Sequence, residues 1–151
     1  MNFKVRLATI KDSKQLFDWV NDPAVRKASF NTSRINWQDH EKWFQEKIRS
    51  SNSIILIFEA DGISVGQIRF DKEINNNYII DFSIQKDFRG LSYGTIIIRI
   101  GIDYMVNLFS RPITFTGKVK LENLNSIKAF QNNEFVKISE TDYFLTFQKS
   151  L

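Results

Sequence analysis

Tyr78 to Ile84 reads YIIDFSI, and five residues further on the chain presents Arg89-Gly90-Leu91-Ser92-Tyr93-Gly94 before a stretch from Thr95 to Phe109. In that stretch Ile97, Ile98, Gly101, Ile102, Met105 and Val106 recur at helical spacing. The order is strand, glycine-bearing loop, helix. The strand is too apolar for a solvated edge and belongs in the middle of a sheet, so its carboxyl end opens onto the loop. A loop of this kind entering a helix offers unpaired backbone N–H groups and the positive end of the helix dipole to an anion such as a pyrophosphate. Gly90 and Gly94 let the backbone approach the ligand, and Arg89 can add a charge-assisted bond. The same residues also suit a plain solvated turn. The pattern is neither GxxxxGK[ST] nor GxGxxG.

The rest of the chain sets this segment in an α+β order. FKVRL at 3–7 alternates as a strand, and Asp12 or Ser13 can cap a helix carrying Leu16, Phe17, Trp19 and Val20. Asn21-Asp22-Pro23 ends that helix. Trp37, His40, Phe44 and Ile48, at spacings of 3, 4 and 4, predict a second helix over 37–48. Strands follow at 53–60 and 63–71, joined by Asp61-Gly62, then at 78–84 and 113–119. Asn123 or Asn125 starts a last helix to about Asn133, before strands over 135–139 and 142–148. The expectation is a mostly antiparallel sheet of about seven strands with about four helices, one of which crosses over in the middle, in a single domain spanning 1–151.

Composition removes several chemistries. Cysteine is absent, which excludes disulfides, thiolate metal sites and thiol nucleophiles, and His40 as the single histidine excludes a multi-histidine metal site, so no metal is expected. The formal charge of +4 comes from scattered residues without a basic stripe, and a nucleic-acid partner is not expected. No apolar run reaches the length of a membrane span and the amino terminus lacks a signal-peptide pattern, so the expected location is cytoplasmic, with no membrane partner.

The order of elements, with R-G-x-x-x-G after the fourth strand, resembles the GNAT family of acyl-coenzyme A N-acyltransferases across almost the whole chain. In that family the loop is usually R/Q-x-x-G-x-G/A. Arg89, Gly94 and the helix start at Thr95 fit, while Ser92 stands at the middle glycine. A second signature is Glu122-Asn123-Leu124-Asn125-Ser126-Ile127-Lys128-Ala129-Phe130, followed by Glu134-Phe135. The resemblance implies acetyl-coenzyme A as cofactor. It would be held by the backbone of Arg89, Gly90, Leu91, Ser92, Tyr93, Gly94 and Thr95, by Asn123, and by Ser126 and Phe130 at the thioester end. It also implies that the fourth and fifth strands splay, freeing backbone groups at Phe82, Ser83 and Ile84 to pair with pantetheine and polarise the acetyl carbonyl. Many members carry a tyrosine where Phe130 stands, and phenylalanine has no proton to give. Glu134 replaces a common glycine.

Trp19 to Arg26, Ser29-Phe30-Asn31 and Ile35 to Phe44 resemble a GNAT subgroup that acetylates nucleotide-linked amino sugars, typified by pseudaminic acid pathway enzymes acting on a UDP-linked 4-amino-4,6-dideoxy sugar. Such an acceptor needs aromatic surface for its base, cations or amides for its diphosphate, and polar groups for its sugar. Phe30 and Trp43 offer stacking, Arg26 and Arg69 charge, and Asn31 and His40 polar contacts. Trp37 reads as core.

Without cysteine, and without a histidine to spare for a serine triad, direct transfer within a ternary complex is the expected mechanism. Asp81, inside an apolar strand, is either a general base or a structural carboxylate held by neighbours. His40 has two readings as well, an acceptor-site group or a buried structural one. Alternatives are acetylation of a protein amino terminus or another small amine, and an acyl-coenzyme A binding module with little catalysis. A monomer or homodimer is expected.

Overall fold

A computed structural model describes residues 1–151. Strand β1 (Phe3–Leu7) leads through a 3-10 turn at Ile10–Asp12 into α1 (Ser13–Val20). Thr9 and Asp12 form a capping box there, and Asp12 also takes two guanidinium bonds of 2.9 Å from Arg6, which tie the turn to β1. The sequence expectation that Asn21-Asp22-Pro23 closes the helix is met. A further helix, α2 (Pro23–Ala28), starts at once, because Asp22 Oδ1 accepts from the Ala24 N–H at 2.8 Å and Pro23 fills a first-turn position whose N–H has no helical partner. This raises the expected count of about four α-helices to five. Next comes α3 (Trp37–Arg49), capped by Asn36.

β2 (Ser53–Ala60) and β3 (Ile63–Lys72) form a hairpin whose Asp61 and Gly62 have φ of 51° and 81°, the left-handed pair that a tight two-residue turn requires. β4 (Asn77–Ile84), α4 (Tyr93–Leu108), β5 (Thr114–Lys120), α5 (Leu124–Asn132), β6 (Val136–Glu140) and β7 (Phe144–Ser150) complete the chain. One seven-stranded sheet results, in the order β1-β2-β3-β4-β5-β7-β6, antiparallel everywhere except between β4 and β5. That single parallel pair is the one bridged by α4, as a crossover connection demands.

β2 is apolar along its length because the sheet is covered on both faces there. Leu56 and Phe58 join Ile68, Phe70, Ile97, Ile98 and Met105 under α4, while Ile55 and Ile57 join Leu16 and Phe44 under α1 and α3. Each of these large side chains contributes about 1.5–3 kcal/mol by leaving water. α4 lies close against the sheet, since a Cβ on Gly101 would stand 3.1 Å from Ile68 and Phe70. No helix is long and apolar enough to cross a membrane.

Candidate active site

β4 and β5 pair only over Asn77–Ile79 with Thr114–Thr116, and beyond these residues they diverge. The splay leaves the β5-facing peptide groups in the upper half of β4 without a strand partner, and it is filled by a cleft of about 900 Å³ lined by Phe82, Ser83 and Ile84. The Ile84 carbonyl already accepts from Arg89 Nε at 2.9 Å, which leaves it one lone pair.

At the mouth of the splay the loop turns twice through the left-handed region, at Gly90 (φ 78°) and Ser92 (φ 63°). Ser92 therefore adopts the conformation that a glycine supplies at no steric cost, at a penalty of about 1–2 kcal/mol for an L-residue. α4 begins directly after it with no side-chain cap, so its first-turn N–H groups face the cleft without a side-chain partner. Gly94 packs closely, since a Cβ there would stand 3.3 Å from the Phe82 ring and 3.5 Å from Ala129. The Thr95 carbonyl accepts from Asn133 Nδ2 at 3.0 Å, which pins α5 to the start of α4.

The expectation for Leu91 and Tyr93 concerns their backbone: Tyr93 lines the cleft while its ring packs against Phe3, Phe58 and Phe88, and Leu91 is exposed and does not line it. Arg89 lines the cleft but also reaches Asp22 Oδ1 at 3.4 Å, joining the loop to the α1–α2 corner.

Across the cleft stands α5. Asn123 Oδ1 accepts from the Ser126 N–H at 3.3 Å, so Asn123 is a helix cap as well as a cleft residue. Ser126 lines the cleft one turn before Phe130, whose ring is buried against Phe82, Phe135 and Phe147. α5 ends in paired bonds, Phe135 N–H to the Phe130 carbonyl at 3.1 Å and Glu134 N–H to the Gln131 carbonyl at 3.0 Å, with Glu134 at φ 65°. This is the Schellman pattern with glutamate where glycine is usual.

The other half of the same cleft is built by α1, α2, α3 and β3. On the outward face of β4, Asp81 accepts from Gln67 Nε2 at 3.2 Å and lies 3.8 Å from Arg69, yet its side chain remains 54% exposed. The two sequence readings of Asp81 thus meet in one carboxylate that is held by neighbours and open to the cleft. Arg69 is committed to Asp71 at 2.9 Å and lies 5.1 Å over the Trp43 ring. Burial alone would push the Asp71 carboxyl up, but Arg69, with Ser53 and Lys47, holds it below the ordinary carboxylate value.

Arg26, expected to offer charge to a substrate, lines the cleft and at the same time clamps the chain around it. Its guanidinium donates to the carbonyls of Val20 at 2.7 Å, Asn31 at 2.8 Å and Ser33 at 3.2 Å and to Ser29 Oγ at 3.1 Å, fixing the segment that carries Phe30 and Asn31. Phe30 is exposed at the cleft wall, in edge contact with Phe144. Trp37 packs edge-on against Phe17 and lies outside the cleft, although 39% exposed rather than buried as the sequence reading had it.

His40 is 3% exposed, ringed by Phe17, Trp37, Trp43 and Phe44, and its Nε2 donates to the Ser13 carbonyl at 2.9 Å. Nδ1 then carries the lone pair. It makes no hydrogen bond within the protein, in a residue that lines the cleft. Burial lowers the imidazole pKa below its ordinary value, against weaker opposing effects from Ser13 and Glu41, so the neutral ring is favoured. Residues the sequence reading missed are Gln67, Lys118 and Asn125, all on the cleft wall. Their signal was strand or helix alternation, which names a face only once register is known.

A single cleft thus joins a backbone cradle for an anion and an extended amide-bearing chain to a polar chamber, the arrangement of an enzyme that transfers a group from a carrier to a second substrate. Residues 2–136 match the family model of the GNAT acetyltransferase domain. The chain belongs to the GNAT acetyltransferase family and is an acetyl-coenzyme A-dependent N-acetyltransferase. Comparison with curated protein sequences gives no significant match. Among solved structures, a domain from Methanocaldococcus jannaschii is similar at 18% identity and TM-score 0.85, with 99% of both chains covered. The aminoglycoside acetyltransferase AAC(6')-Ib, solved with ribostamycin and coenzyme A, is similar at 14% identity and TM-score 0.87, covering 99% of this chain and 94% of the other. Spermidine N-acetyltransferase from Vibrio cholerae, solved with coenzyme A and spermine, gives 13% identity and TM-score 0.87 over 98% of this chain and 95% of that one.

Proposed function

We propose that this enzyme acetylates the primary amine of a nucleotide-linked amino sugar by direct transfer in a ternary complex. The carrying observation is that one unbroken cleft runs from the loop at Arg89–Thr95, past the free edge of β4, to Trp43, Asp81 and His40. Donor and acceptor then share one space, and no nucleophile is needed between them. When bound, acetyl-coenzyme A would supply the acetyl group as an activated thioester and leave as the free thiol. The residues present fit it: open N–H groups at the α4 start, the Gly94 approach, and the splayed backbone at Phe82 and Ser83.

The chain's own residues do the rest. The exposed Asp81 carboxylate pairs with the incoming ammonium, and the His40 Nδ1 lone pair takes its proton, directly or through water. The Nε2 bond to Ser13 fixes the tautomer this role needs. Phe130 leaves the departing sulfur without a tyrosine donor, so Ser126 is the nearest hydroxyl on that helix face. Holding amine and thioester together supplies about 7–11 kcal/mol, while a positioned base adds roughly 10²–10⁴-fold, so positioning dominates.

A second reading, a polycationic amine as acceptor, is favoured by the carboxylates of Asp39 and Asp81 on the cleft wall. Free-thiol release from acetyl-coenzyme A separates the two, with a UDP-linked 4-amino-4,6-dideoxy sugar in one arm and spermine in the other. Release that requires the sugar supports the proposal. Release with spermine and not with the sugar overturns its acceptor.

A further inference from the structure

Arg26 and Arg69 are the cations that sequence assigns to an anionic acceptor, and both are committed, the first to three carbonyls and a hydroxyl, the second to Asp71, Asp81 and Trp43. A different positive charge remains on that side of the cleft. Lys118 sits on the outward face of β5, where the alternation that buries Phe115, Gly117 and Val119 turns residue 118 away from the core. Its ammonium lies 5.5 Å over the Phe144 ring and pairs with no carboxylate. The Phe144 ring in turn meets Phe30 edge-on at 5.3 Å, and Phe30 keeps 57% of its surface exposed.

Resting on the acetyl-transfer reading above, we propose that Lys118 and Phe30 form a subsite for a nucleoside diphosphate carried by the acceptor, Lys118 pairing with phosphate oxygen and Phe30 receiving the base. The two features are complementary to the two ends of such a group. An unpaired ammonium recognises phosphate as a point charge, and an exposed aromatic ring offers a stacking face to a planar heterocycle. Phe144 holds the pair together, since it contacts both. The Arg26 clamp on the carbonyls of Asn31 and Ser33 keeps Phe30 in place before any ligand arrives, which reduces the ordering cost of binding. The subsite selects the acceptor rather than performing the transfer, so its effect belongs in KM.

The probe is UDP, titrated calorimetrically into protein saturated with coenzyme A, so that the cofactor's own phosphates are already accounted for. The expected result is binding that weakens by about tenfold in Lys118→Gln, more in Lys118→Glu, and is retained in Lys118→Arg. Phe30→Ala weakens it by several-fold, on the order of 1 kcal/mol of lost stacking. Affinity for coenzyme A in the same variants controls for folding. UDP that fails to bind, that displaces coenzyme A, or that binds Lys118→Gln as well as the native chain overturns the subsite. Thiol release with spermine is measured alongside. If UDP binding depends on Lys118 while no amine supports thiol release, the subsite stands and the acetyl-transfer reading falls. If spermine supports release and UDP does not bind, the reverse holds.

Discussion

The Phe130 ring stands against Gly117 so closely that a Cβ on Gly117 would lie 2.3 Å from the ring's Cζ. The contact crosses from α5 to β5 at the point where the sheet opens, and it decides what either position can carry. Gly117→Ala forces the ring to move, and overpacking of this kind costs about 1–3 kcal/mol. Phe130→Tyr sends its hydroxyl toward the same spot. The tyrosine variant therefore melts lower than the native protein and shows no gain in turnover, read by thermal unfolding and thiol release. A gain in turnover at unchanged stability would show that the ring can swing toward the thioester.

Glu134 holds the left-handed position of the α5 cap at φ 65°. Glu134→Gly removes the Cβ clash of that conformation, and the offsetting gain in unfolded-chain entropy is smaller, so a net stabilisation of about 0.5–1 kcal/mol is expected in denaturant unfolding. Glu134→Ala, which keeps the Cβ, gives no such gain.

His40 is held neutral by burial, so its folded pKa lies below the unfolded value of about 6.5. Between the two values the unfolded chain binds more protons, and stability falls as pH drops through about 6.5 toward the lower folded value. Above that window the contribution is fully present. His40→Gln flattens this limb of the stability profile. Because the same ring is the proposed base, the acidic limb of kcat/KM also lies below pH of about 6.5, and it disappears in His40→Gln along with most of the rate.

Asp22 caps α2 and pairs with Arg89 through the same Oδ1. Asp22→Asn keeps a good cap while removing the charge that competes for Arg89. Affinity for coenzyme A is expected to rise, by up to about fivefold given the usual worth of a partly exposed ion pair, with unfolding stability little changed. Weaker binding would mean that the pair orients Arg89 for the cofactor.

The sheet was legible because its strands carry period-two patterns between strong turn signals, and Asp61-Gly62 fixes the hairpin outright. The loop at 89–95 was legible by its glycines and by its place between an apolar strand and a helix. α2 escaped because Pro23 reads first as a stop, and only the Asp22 cap turns the same proline into a start. Arg26 was read as a free charge because its partners are backbone carbonyls, which no residue pattern announces. Lys118 was missed for a related reason, since its neighbours Phe30 and Phe144 are brought to it only by the pairing of β5 with β7 and the fold of the amino-terminal helices.

The divergence of β4 from β5 bears on how such a chain can drift over generations. A cradle made of peptide groups and a helix end is written in the path of the main chain, and mutation exchanges side chains while that path persists. Few side chains are then constrained by the cradle itself, and the close packing at Gly94 and Gly117 constrains bulk around it. Structures at 13–18% identity can accordingly keep TM-scores of 0.85–0.87 over nearly their whole length. The proposed acceptor wall, built from cleft side chains such as Phe30, Asp81 and Lys118, has no such protection and is the part of the molecule free to specialise.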